Sequence, residues 1–199
     1  LSNESRLAFY RKHGVTGPMF GVLLGPIRTL AKTIGRQHAL GLSLWYSGNY
    51  DAMILGAMLL DPDALIADDF ERLLGAAYIP QLVDELILGE LGESPLADKF
   101  RPEWMDSAEG LRGRAGWYLM LNRIRKDLPS RQELSDLLTI IENGLVDAHP
   151  HKQYAMNHCL AEIGIRHDEW TDRCMAIGER LGVYKDMKVS KGCTSPYVP

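Results

Sequence analysis

One carboxylate stands where carboxylates are rare. From Pro80 the chain reads PQLVDELILGEL, and at helical spacing residues 80, 84, 87, 88 and 91 share a face of Pro, Asp, Ile, Leu and Leu. The other face carries Leu82, Val83 and Leu86, so Asp84 is set among apolar neighbours. A carboxylate in that setting must be paired, neutralised or opened to a cleft. It is either the structural partner of an arginine in a later helix or a group lining a groove.

A second stretch raises a matching question about cations. Residues 110–121 read GLRGRAGWYLML, with Arg112 and Arg114 on opposite flanks of a helix. Arg114 shares a stripe with Leu111, Tyr118, Leu121 and Arg125. A guanidinium keeps its charge at any ordinary pH. Arg114 therefore either lies over the core with its head in water or forms an anion site. Trp104 and Trp117 flank the same segment and are placed to lean on a ligand, although core is the commoner place for a tryptophan. Trp45 and Trp170 read as core.

The surrounding charge is uneven. Between Asp51 and Asp98 eleven acids face Arg72 alone. From Lys99 to Arg131 the balance inverts, with Lys99, Arg101, Arg112, Arg114, Arg123, Arg125, Lys126 and Arg131 against four acids. The formal net charge of −4 and pI of about 5.9 therefore hide a basic face, or adjacent helices solvate each other's flanks.

Other chemistries find less support. The chain has no phosphate loop, GxSxG, HExxH or dinucleotide fingerprint. His149-Pro-His151 has no third ligand at helical spacing, so no metal is expected there. Cys159 lies on a different side of its helix from His158, which argues against a thiol–imidazole pair. Cys159, Cys174 and Cys193 are an odd set without metal-like pairing and imply free thiols in a reducing, cytoplasmic compartment. No apolar run approaches the roughly 18 residues of a membrane span. No signal-peptide pattern is present, and Leu1 in place of a Met points to residues upstream. With 199 residues, 46% hydrophobic and 24% charged, the chain suits one soluble domain with a substantial core.

Helices must position these groups. Ser5 to His13 is a short helical run ended by Gly14, and residues 14–25 form a glycine-rich ordered loop. Pro26 opens a helix that runs to Gly35. Gln37 to Ser47 is the next, and Asn49 caps Tyr50 to Leu60. DPDALIADDFERLLGAA gives a turn and a helix. Pro80 starts a helix stopped by Gly92. Ser94-Pro95 caps another, which Pro102 must kink or end. Ser107 to Lys126 is a long helix. Ser130 and Glu133 form a capping box. Lys152 to Gly164 and Asp168 to Leu181 complete the set, and the tail from Gly182 is irregular. No strand pattern competes. Runs of three-turn helices on short connectors fit either a helical-repeat solenoid or a compact irregular bundle.

Five segments settle that choice by resemblance. RTLAKTIGRQHALGLSLWYSGNYDAMILGAMLLDP (28–62), LVDELILGEL, EGLRGRAGWYLML and YAMNHCLAEIGIR occur in the order of the AlkD-like DNA alkylation repair family, and the tail KGCTSPYVP resembles one large branch of it. The resemblance implies an all-α fold, a right-handed superhelical solenoid of HEAT-like antiparallel helix pairs, as a single helical-repeat domain over 1–199. It implies binding of double-stranded DNA and excision of cationic alkylated purines without metal or cofactor. Alkylation puts positive charge on the base and weakens the glycosidic bond. A carboxylate near the sugar then stabilises an oxocarbenium-like transition state.

The same resemblance places the catalytic aspartate at Asp84 and the phosphate-binding arginine at Arg114; the basic segment 99–131 offers Arg112, Arg123 and Arg125 as further backbone contacts. Groove walls fall at Pro80 and His158 by the resemblance, and at Trp117 by its place beside the basic segment. At the first two of these positions active members of the family carry tryptophan. That departure favours the alternative of a HEAT-repeat scaffold that binds nucleic acid or protein without catalysis.

Overall fold

The computed structural model describes residues 4–190 and 192–199, and among them every regular element is an α-helix. Leu1 and Lys191 of the tail motif lie outside the described residues. In chain order the helices are α1 (Glu4–Lys12), α2 (Leu24–Ile34), α3 (His38–Trp45), α4 (Tyr50–Leu59), α5 (Ala67–Ala76) and α6 (Pro80–Ile87). They continue with α7 (Glu90–Glu93), α8 (Ala97–Asp106), α9 (Gly110–Arg125), α10 (Arg131–Gly144), α11 (Pro150–Arg166) and α12 (Asp168–Leu181). The chain divides into two compact units, one ending at Phe100 and one beginning at Arg101, a boundary inside α8.

Local chemistry explains several helix ends. The Asn49 side chain accepts the Ala52 N–H at 3.2 Å and caps α4. Ser130 accepts from the Glu133 N–H at 3.2 Å while Glu133 accepts the Ser130 N–H at 2.7 Å, which closes the capping box of α10. At α5, the Asp69 carboxylate accepts the Ile66 N–H at 2.9 Å. Gly182 ends α12 in the left-handed conformation, φ 62°.

Several boundaries differ from the expected ones. α2 starts at Leu24 rather than Pro26, because a proline in the first turn loses no intrahelical bond. Gly89 splits the expected helix after Pro80 into α6 and α7, and a Cβ there would stand 2.6 Å from the Glu85 carbonyl oxygen. Pro102 lies inside α8, which continues to Asp106 instead of ending. Ser107 precedes α9 in a turn, accepting the Glu109 N–H at 3.1 Å. α11 begins at Pro150 and runs two residues past Gly164.

In the first unit Trp45, Phe70, Leu73, Leu82 and Leu86 are fully buried, and the Trp45 indole N–H donates to the Leu73 carbonyl at 3.2 Å. α3 and α4 touch backbone to backbone. A Cβ on Gly41 would lie 2.9 Å from the Gly56 oxygen, and one on Gly56 would lie 2.6 Å from the Gly41 oxygen. The loop ahead of α2 is held from below. Buried Asp51 accepts from the N–H groups of Phe20, Gly21 and Val22 at 2.6, 3.1 and 2.9 Å. The Tyr10 hydroxyl donates to the Val22 carbonyl at 3.0 Å, and the Tyr50 N–H donates to the Pro18 carbonyl at 2.8 Å.

In the second unit the core is built where α9 packs on α11. Trp104 and Trp117 are core residues, 0% and 1% exposed, so neither ring lies open to solvent as a ligand platform. Trp170, expected in the core, is only half-buried, with the Arg131 and Arg173 guanidinium groups each 5.8 Å from its ring centroid.

Candidate functional site

Asp84 opens onto a cleft in the first unit. The cleft holds about 490 Å³ and has walls of opposite charge. Arg28, Lys32 and Arg36, on α2 and just past its end, form one wall. Asp84, Glu85 and Glu90, from α6 and α7, form the other, with Ala31, Met58 and Leu88 supplying apolar lining. Arg28 and Glu85 are 3.5 Å apart, and Arg36 and Glu90 3.1 Å. Arg28 and Lys32, four residues apart, share one face of α2, and Arg36 follows the Gly35 cap that ends it. That row is readable in RTLAKTIGR, although the denser basic segment 99–131 is the one that stands out in the sequence. Pro80 is half-buried and opens α6 at its first position, one turn before Asp84.

The two neighbouring carboxylates have different settings. Burial pushes the Glu85 carboxyl above its ordinary range. Arg28 and a hydrogen bond from Gln81, at 2.7 Å, oppose that rise, and the charge of Asp84 adds to it. Glu85 thus holds a proton more readily than an ordinary glutamic acid, beside an aspartate on the same wall.

In the second unit Arg114 is buried, 5% exposed, which excludes the arrangement with its head in water. Its guanidinium donates to the Tyr118 hydroxyl at 2.9 Å and to the His151 carbonyl at 3.2 Å. It also lies 4.7 and 5.0 Å from the ring centroids of Tyr118 and Tyr154. The Tyr118 ring meets His158 edge to face, centroids 5.9 Å apart. His158 Nε2 lies 3.2 Å from Arg125 Nη2. A guanidinium cannot accept a hydrogen bond, so the imidazole accepts here. Arg125 also pairs with Glu162 at 3.3 Å. Arg114, Arg125 and His158 are thereby joined through Tyr118, a residue that sequence reasoning left in the packed stripe. Tyr154, His158 and Pro196 border a small cavity of about 160 Å³ beside them.

Arg112 and Arg123 have acidic neighbours close by. Arg112 sits 3.7 Å from both Glu103 and Glu109, with its guanidinium 5.9 Å from the Trp104 ring centroid. Arg123 sits 3.6 Å from Glu133. Basic residues of 99–131 thus lie beside acids of the same unit. Trp117 borders a separate cavity of about 350 Å³ with Pro102, Met120 and Leu137.

The remaining candidates resolve simply. His149 and His151 lie 5.0 Å apart, ring to ring, and His149 Nδ1 accepts the His151 N–H at 3.2 Å. Among the described residues no group of three or more His, Cys, Asp or Glu is arranged to hold a metal. Cys159 donates to the Trp117 carbonyl at 3.2 Å, and burial pushes its thiol far up. No described helix is long and apolar enough to cross a membrane.

Known proteins share this architecture. The profile of the family described as DNA alkylation repair enzyme matches residues 1–181. A solved structure from a family related to the HEAT-like repeat DNA glycosylases, with affinity for branched DNA structures, shares 27% identity at a TM-score of 0.83. The match covers 91% of this chain and 78% of that one. The all-α HEAT-like repeat fold expected from the sequence is therefore the fold observed. Uncharacterized protein Lin0241 of Listeria innocua serovar 6a and Uncharacterized protein Lmo0209 of Listeria monocytogenes serovar 1/2a are each 22% identical over 215 residues. Both alignments cover 100% of this chain and 88% of the relative.

Proposed function

This chain belongs to the DNA alkylation repair enzyme family, and from that premise we propose that it excises cationic alkylated purines from duplex DNA, with Asp84 as the catalytic carboxylate. The observation that carries the reading is the opening of Asp84 onto the cleft of about 490 Å³. A group there is accessible to a substrate, which a core carboxylate is not.

The chemistry needs little from the protein. A base alkylated at a ring nitrogen is already positively charged and is a good leaving group. As the glycosidic bond breaks, positive charge moves to the sugar ring, and a fixed carboxylate lowers the energy of that state more than that of the substrate. Water then adds to the sugar. Arg114, 5% exposed, would reach a phosphate only by giving up its bond to the Tyr118 hydroxyl or the His151 carbonyl, and would then set the register of the backbone. Arg112, Arg123 and Arg125 would exchange their carboxylate partners for phosphates.

A second reading rests on Pro80 and His158, which stand where active members of the family carry tryptophan. It keeps DNA binding and omits excision. One experiment separates the two: incubation with methylated duplex DNA and measurement of released 3-methyladenine and 7-methylguanine, beside binding of the same duplex. Release that is lost in Asp84→Asn, with binding retained, supports catalysis. Binding without release supports the second reading, and absence of both removes DNA from the function.

A further inference from the structure

The loop ahead of α2 is built against the usual logic of burial. Its sequence, PMFGVLL over residues 18–24, is almost wholly apolar, yet Phe20 is 58% exposed and Leu23 47%. A single exposed apolar residue is ordinary on most surfaces. Here five hydrogen bonds hold the backbone that presents it. Three come from the loop's own N–H groups to Asp51, itself only 4% exposed. One comes from the Tyr10 hydroxyl and one from the Tyr50 N–H. Gly21 adopts φ 75°, a left-handed turn that aims the chain between Phe20 and Val22. A buried aspartate side chain thus fixes an apolar side chain in solvent.

The next element of the chain identifies the partner. The loop runs directly into α2, which carries Arg28 and Lys32 on one face with Arg36 just past its end; the Arg28 and Arg36 side chains are more than half exposed even while paired with Glu85 and Glu90. An aromatic ring that stacks on a base, next to cations that hold the backbone, is the combination that recognises unpaired or unstacked nucleotides. Phenylalanine, leucine, methionine and proline are the side chains that enter base steps as wedges. We infer that Phe20 is a stacking wedge for a DNA base that has lost a neighbour, at a gap, a junction or the site of an extruded nucleotide. The inference rests on the proposal that this chain binds DNA. The fixed loop makes the wedge preorganised, so little ordering entropy is lost on contact.

The test uses the full chain and three DNA probes: an intact duplex, the same duplex with a one-nucleotide gap, and a three-way junction, each with 2-aminopurine at the candidate step. The wild-type protein should raise 2-aminopurine fluorescence in the gapped and branched probes. Phe20→Ala should bind those two about tenfold more weakly and the intact duplex with smaller loss, while Phe20→Trp should restore binding. Amide exchange at Gly21 and Val22 checks that the loop is intact in both variants. Equal binding of all probes by wild type and Phe20→Ala overturns the wedge and leaves the DNA reading standing. A wild-type protein that binds none of the probes overturns both. If the sole change in Phe20→Ala is loss of self-association in sedimentation, the surface docks a second copy of the chain and the wedge is likewise overturned.

Discussion

Glu85 Oε1 lies 3.5 Å from Arg28 Nη2, joining α6 to α2 across the cleft, with the glutamate side chain 11% exposed and the arginine 58%. The pairing is unequal. Burial raises the Glu85 carboxyl despite the cation, so the folded protein takes up this proton more readily than the unfolded chain does. The stability that Glu85 contributes is fully present below its unfolded pKa and is lost as pH rises through the higher folded value. Glu85→Gln, which mimics the protonated acid, should therefore gain on the wild type as pH increases from about 4 to about 8. Thermal melts across that range check the trend, and a constant difference in Tm would remove Glu85 as its source.

Asp84→Asn should fold and bind duplex DNA as the wild type does, and should cut base release by roughly 10²–10³. The competing role as a structural ion-pair partner has a different signature. Breaking a buried pair costs on the order of 3–5 kcal/mol, which a melting curve on the same samples would register. An unchanged release rate with an earlier melt would exclude catalysis by Asp84.

Replacing Arg112, Arg123 and Arg125 together with Ala should weaken DNA binding and flatten its dependence on salt. Three phosphate contacts contribute a slope of about 2.7 in log K against log salt. Since each of these guanidinium groups already has a carboxylate within 3.3 to 3.7 Å, the loss of stability without DNA should be small. An unaltered slope would take this segment out of the interface.

The three thiols should separate in a titration of the native protein at mildly alkaline pH. Cys193 is exposed and should react at once with a disulfide reagent. Cys174, buried and pushed up to about 11, and Cys159, raised further by complete burial, should react only on unfolding. Rapid reaction of more than one thiol per chain would contradict the packing of α11 and α12.

How far the sequence carried these conclusions depends on the range of the interaction. Asn49, Ser130 and Gly182 act within one turn of their own positions, and the helix ends they set were readable directly. Gly89 broke a helix expected to reach Gly92, because its need for space comes from the carbonyl one turn back rather than from an apolar pattern. Trp45, Trp104 and Trp117 are core, but Trp170, also expected there, is flanked by arginines, since periodicity ranks positions on a helix but not which neighbour covers them. The family resemblance supplied the fold and pointed to Asp84. The cation row facing it did not emerge, because Arg28 and Glu85 are 57 residues apart and their opposition is a product of packing.

The contact of Gly41 with Gly56 has a mechanical consequence. Where the two backbones touch there is no side-chain layer to shear, so α3 and α4 form one plate at this contact. Asp51 is fixed to that plate, and the loop carrying Phe20 is fixed to Asp51. Load applied at the loop tip is therefore transmitted into the plate, and the compliance needed to accommodate a ligand must reside in the connectors around it. The first unit acts at this corner as an anvil rather than a spring.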